Sequence, residues 1–298
     1  MRTLIWSIAI VATVALFLFW MVWKRKKNAA SSSSRLGIRA DLPLGELADR
    51  LEAAFPPEFE VRLKQRSIRV YPTMTEYEFQ WRLLELKRFF IMTAILNRVP
   101  MFSKAVDQIW HEMLSFAAEY ERFGHSFVGY VIQHVPRSAP KAMPGERAWF
   151  DWIYAQLFQP APFSDKAWGA FFRFPLTQDF IETLEGTEGT EQRSRLYNSK
   201  AMMNSPPIRQ SVEILVSRAH EQIANARRII AKGSRRPSSR TQDVQALAEA
   251  MIFYSILDPK QYGRSMHDIK SSGPGAGNID LSTSWCIGSF GESGNSGD

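Results

Sequence analysis

Cysteine is almost absent from this chain: Cys286 stands alone in 298 residues. No internal disulfide can form, as expected for a chain kept in a reducing compartment and not for a disulfide-framed secreted one. The thiol sits beside Trp285 in a Gly/Ser-rich stretch, without the fixed electropositive setting that a catalytic thiolate needs. Histidine is scarce too, at five residues. The helical zinc signature His-Glu-x-x-His is missing, because the fourth residue after His111 is Ser115, and its absence excludes a zincin-type site. Phosphate loops are missing as well, since Gly186-Thr187-Glu188-Gly189 lies in acidic sequence with no following Lys-Ser or Lys-Thr. No Gly-x-Ser-x-Gly nucleophile elbow occurs. Acid is absent from the first forty residues, whose seven cations account for the whole formal net charge of +7. Beyond them the two signs balance, so the chain lacks the basic face that nucleic-acid binding requires. No internal repeat is visible.

What the first forty residues do hold is a run of twenty mostly apolar residues, 4–23, with only Ser7 and Thr13 polar inside it. At about 1.5 Å per residue such a helix reaches roughly 30 Å, the thickness of a bilayer hydrocarbon core. Lys24, Arg25, Lys26 and Lys27 follow at once, and Trp6, Trp20 and Trp23 stand near the ends of the run. The sequence therefore predicts a single-pass transmembrane anchor over 1–27, with the bilayer around residues 4–23 and anionic lipid headgroups at the four cations. The positive flank predicts a cell inner-membrane protein with its C-terminal domain in the cytoplasm. A cleaved signal peptide is the rival reading, but a secretory apolar region is usually only about 7–15 residues long and no small-x-small site precedes the cations.

A Ser-rich stretch, 28–40, reads as a flexible tether. Residues 41–260 predict one all-α domain, and 261–298, rich in Gly and Ser, a disordered tail. Thr75-Glu76-Tyr77-Glu78 is a capping box, with Met74 placed to staple against Phe79, and it opens a helix running to Asn97. Ser205 before Pro206-Pro207 opens another, which Gly233 closes. Thr241 caps a third, ending at Asp258-Pro259. Residues 59–71 are ambiguous: Phe59, Val61, Leu63, Ile68 and Val70 suggest a small hairpin, while Pro56-Pro57 suit a helix start. Six prolines between 136 and 175 predict a loop-rich middle in which Trp149, Trp152 and Trp168 serve as core or covering residues.

Three of the five histidines, His111, His125 and His134, fall within residues 103–136. Ser103 caps a helix whose apolar face is Val106, Ile109, Trp110, Met113, Ala117, Tyr120 and Phe123. Asp107 stands one turn before His111, where a carboxylate can accept the ring N–H. Gly124 and Gly129 weaken the helix and let the chain bring His134 back toward its start.

The pattern Val106-Asp107-x-x-Trp110-His111, Tyr120-x-x-Phe123, Phe127-x-Gly129 and His134-x-Pro136 resembles the glycine-rich domain-containing protein family of plants and its bacterial relatives, over residues 75–136. The resemblance implies a domain and no reaction. Gly124 stands where that family usually has a cysteine, and Gln133 where it has the first of paired histidines.

Two functional expectations follow. The first is a helical domain that binds another protein near the membrane surface, without catalysis. The second is a metal-binding or metal-dependent enzyme in which His111 and His134, with Asp107 or Glu112, hold Zn²⁺ or Fe²⁺. A plainer reading has Trp110 in the core, Asp107 and His111 hydrogen-bonding locally, and His134 capping a helix C-terminus. His125 is expected at the surface. Arg227, Arg228, Lys232, Arg235, Arg236 and Arg240 read as a solvated loop or as a second lipid contact. Geometry separates metal from scaffold: both imidazoles must converge on one point.

Overall fold

The structure is a computed structural model that describes residues 32, 34–134, 143–159, 161–186, 190–233 and 243–271. In chain order its helices from residue 45 onward are α1 (Gly45–Ala54), α2 (Pro57–Val70), α3 (Glu76–Ile95), α4 (Lys104–Leu114), α5 (Ala117–Val128), α6 (Pro144–Leu157), α7 (Ser164–Trp168), α8 (Gln178–Glu185), α9 (Thr190–Leu196), α10 (Ser199–Asn204), α11 (Pro206–Ala231), α12 (Val244–Leu257) and α13 (Tyr262–Ser271). Among the described residues the only strand-like pairings are two isolated bridges, Ile38 with Phe158 and Leu96 with Tyr197. The all-α expectation holds for the domain.

The predicted capping box opens α3: Glu78 N–H donates to Thr75 Oγ1 at 3.1 Å, and Thr75 N–H donates to Glu78 Oε2 at 3.0 Å. From there α3 is buried on nearly every side, with Phe79, Leu83, Leu86, Phe89, Phe90, Ile91 and Ala94 in the core. A helix buried on nearly every side belongs at the centre of its domain, and its buried charges Glu85, Lys87 and Arg88 are paired there. It packs against α4, α2 and α1, while α11 packs against α12, α10 and α8. One continuous hydrophobic cluster runs through both groups.

Several expectations are corrected. Among the described residues no helix is long and apolar enough to cross a membrane. The longest, α11, alternates apolar positions with Arg209, Glu213, Arg218 and Glu221, and the most apolar, α12, has only 14 residues, roughly 21 Å. The single-pass anchor and the inner-membrane localisation are therefore not supported. Residues 4–23 and Lys24 to Lys27, on which they were read, lie outside the described residues.

The hairpin over 59–71 is a helix. Pro57 occupies the first turn of α2, where a missing N–H costs nothing, and Phe59, Leu63 and Ser67 share its buried face, leaving Val61 and Val70 exposed. Spacing by four outweighs the apparent alternation. The tail begins later than expected, because Tyr262, Met266 and Ile269 of α13 are buried. Its remainder, with Cys286, lies outside the described residues. The loop-rich middle contains α6 and α7, whose Trp149, Trp152 and Trp168 are buried as the sequence led us to expect. Thr241 also lies outside the described residues, and Asp243 caps α12 by accepting the Ala246 N–H at 3.3 Å.

Candidate metal centre

The helix expected to run unbroken from Ser103 past Tyr120 is two helices. Ser103 Oγ accepts the Val106 N–H at 3.1 Å and starts α4, which stops at Leu114; α5 begins at Ala117. Val106, Ile109, Trp110 and Met113 of α4 are buried, as are Tyr120, Phe123 and Phe127 of α5. Asp107 and His111, one turn apart, lie on the outer side of α4, with His111 exposed.

At the end of α5, Gly129 adopts φ +84°, the left-handed conformation that closes a helix and turns the chain back. Segment 130–134 then returns along α5. Gly124 makes room for it, since a Cβ at that position would lie 2.6 Å from Tyr130 O and 3.0 Å from Val131 Cα. Its role is close approach and not helix weakening. The Tyr120 hydroxyl accepts the Trp110 Nε1–H at 3.0 Å and donates to Ile132 O at 2.6 Å. Burial pushes this phenol up to about 12, so it is a protonated donor at any physiological pH.

That return places His134 against α4. Its Nε2 lies 2.9 Å from Asp107 Oδ1, and its side chain is only 7% exposed against 20% for Asp107. The His134 ring stands edge-on to Trp110, with centroids 4.6 Å apart, and to His111, at 5.4 Å. It lies six positions beyond the end of α5 and is no helix cap. Taken together, one ligand atom each from Asp107, His111 and His134 lie within 4.8 Å of one another. A common point then lies within about 2.8 Å of all three, so modest side-chain rotation reaches metal–nitrogen bonds near 2 Å. The buried edge is walled by Trp110, and the His111 side opens to solvent.

Glu112, the other carboxylate considered, points elsewhere. Its Oε2 lies 2.7 Å from Arg66 Nε of α2, and the group is buried. His125 is exposed and remote in role, as expected. Of the remaining motif positions, Val106, Trp110, Tyr120 and Phe123 are core, Gly129 is the turn, and Pro136 lies outside the described residues. Sequence reasoning missed Tyr71, whose phenol is raised by burial and by the charges of Glu112 and Asp107. It also missed Arg82, which donates to Gln108 at 2.8 Å. Neither carries a local signal, because α2 and α3 bring them to α4 only through tertiary packing.

A family model described as UCP032817-like matches residues 49–149, about a third of the chain and the part that contains all three ligand candidates. The match corrects the resemblance to glycine-rich domain-containing proteins, for which nothing found gives support. Neither the curated proteins nor the solved structures give a match to the chain.

Proposed function

We propose that this protein binds one divalent transition metal, zinc or ferrous iron, through Asp107, His111 and His134. The observation that carries the reading is the convergence of three ligand atoms from α4 and the returning segment within 4.8 Å. Two imidazoles and one carboxylate are the donor set that suits either ion. Three protein ligands leave coordination positions free, and the exposed side of His111 is where water or a substrate oxygen enters. A metal held so supplies a Lewis acid and an activated water near neutral pH. Within the chain, Trp110 keeps water from the inner face of His134, and before an ion enters the Asp107 carboxylate, 2.9 Å from Nε2, holds the His134 ring toward the site.

The test is elemental analysis of the purified full chain by inductively coupled plasma mass spectrometry, with titration of the metal-free protein by Zn²⁺ and, anaerobically, Fe²⁺. About one equivalent is expected, lost in the His111→Ala, His134→Ala double variant. No bound metal and no uptake in either titration sinks the reading.

A further inference from the structure

Tyr120 bonds to both stretches of chain that carry the histidines. Trp110, whose Nε1–H it accepts at 3.0 Å, is the residue before His111; Ile132, whose carbonyl it donates to at 2.6 Å, lies two before His134. We infer that Tyr120 is a positioning residue of the metal centre, the phenol that sets the separation between His111 and His134.

Segment 131–134 is an irregular stretch with no helix or ladder to fix it. Among the described residues it is held by two hydrogen bonds, one from Tyr120 to Ile132 O and one between Asp107 and His134. An ion taken up by Asp107 Oδ1 and His134 Nε2 would replace the second. The Tyr120 bond then remains as the segment's polar tie to the helices. Its geometry is well kept: Tyr120 is 6% exposed and its ring stacks on Phe123 at 6.2 Å. The indole it fixes is the one that stands edge-on to His134. Outer partners of this kind orient first ligands, and losing one typically weakens metal affinity about 10- to 100-fold.

The inference rests on the metal reading, and Co²⁺ separates the two. Full-chain protein, metal-free, is titrated with Co²⁺ while its visible ligand-field band is followed, for the wild type, Tyr120→Phe and Ser255→Ala. Phenylalanine keeps the stacked ring and removes only the hydroxyl. Ser255→Ala cuts a buried bond, Leu176 N–H to Ser255 Oγ at 2.9 Å, on a helix that carries no site residue. The expected result is an affinity about 10- to 100-fold weaker, with an altered band, in Tyr120→Phe; Ser255→Ala loses heat stability but keeps wild-type affinity and band. Gly124→Ala, whose Cβ would press on Tyr130 O from 2.6 Å, displaces the same segment by another route and shares the expected direction. Wild-type binding with Tyr120→Phe unchanged overturns the inference and leaves the metal reading standing. So does equal weakening in Ser255→Ala, which makes the effect one of general stability. No band in the wild type removes both.

Discussion

The indole of Trp168 donates to the carboxylate of Glu85 at 2.7 Å, across 83 residues of sequence and inside the core. Glu85 also accepts from Tyr154 at 2.8 Å, Ser164 at 2.9 Å and Arg88 at 3.1 Å, and it has no exposed surface. Arg88 continues outward to Leu36 O at 2.8 Å and Gln159 O at 3.1 Å. One carboxylate thus joins α3, α6, α7 and the segment before α1. Such a group is tolerated only because every lone pair has a donor.

Glu85→Gln is therefore expected to be among the most damaging single changes. The amide N–H₂ faces donors, and the buried Arg88 cation loses its counter-charge. A loss of about 3–5 kcal/mol is expected. Urea denaturation followed by circular dichroism measures it, and a loss under about 1 kcal/mol contradicts the network.

Local sequence carried the helix ends well. Thr75 to Glu78, Ser103 and Gly233 each do at the backbone what their residue type suggests, because caps are settled within four residues of chain. The heptad-like spacing of Val106, Ile109, Trp110 and Met113 likewise gave the buried face of α4. What sequence could not show was partner choice across the fold. Spacing alone pairs Asp107 with His111, one turn away, whereas the structure pairs it with His134, 27 residues on. Glu85 and Arg88 carry no local mark of their burial, since nothing in the neighbouring sequence distinguishes a buried ion pair from a solvated one. Val61 and Val70 misled because β-branched residues at odd spacings mimic a strand even when Phe59 and Leu63 fix a helix.

Asp151 gives a pH signature. Burial raises its carboxyl from 3.8 to about 6, against the pull of Arg147 Nε at 2.7 Å and of the Phe172 N–H at 2.8 Å. A carboxyl whose pKa is higher in the folded state holds its proton more tightly there than in the unfolded chain. Between about pH 4 and 6 the folded state binds the extra proton, so stability falls as pH rises through that window. About two pH units correspond to roughly 3 kcal/mol at most. Asp151→Asn has no such proton. Wild-type stability relative to the variant should decline from pH 4 to pH 7 in urea titrations, and parallel curves would falsify the assignment.

Gly124 within α5 and Gly129 at its C-terminal cap separate contact from conformation. Gly129 has φ +84° and nothing within 4 Å of a built Cβ, so Gly129→Ala meets only the left-handed backbone cost of about 1–2 kcal/mol. Gly129→Asn should recover part of it, because asparagine enters that region more readily. Gly124 lies in a helix with ordinary backbone, and Gly124→Ala suffers overpacking against Tyr130 O, about 1–3 kcal/mol. Chemical denaturation of the three variants tests this, and rescue of position 124 by asparagine would contradict it.

Asp107 and Glu112, five residues apart and so on different faces of α4, make the sharpest pair. Glu112 is buried against α2 through Arg66, at 2.7 Å, and Asp107 faces the histidines. Glu112→Gln removes the negative end of that ion pair while keeping its shape, so it should lower stability by about 1–3 kcal/mol and leave Zn²⁺ affinity within twofold. Asp107→Asn should do the reverse, because a neutral amide is a poor metal ligand yet still a partner for His134. Its stability should stay within about 1 kcal/mol of wild type while Zn²⁺ affinity drops by at least tenfold. Calorimetric Zn²⁺ titration beside urea denaturation reads both quantities on the same samples. If both variants lose affinity in step with stability, metal uptake tracks folding and not the Asp107 carboxylate, and the ligand set would have to be redrawn around the histidines alone.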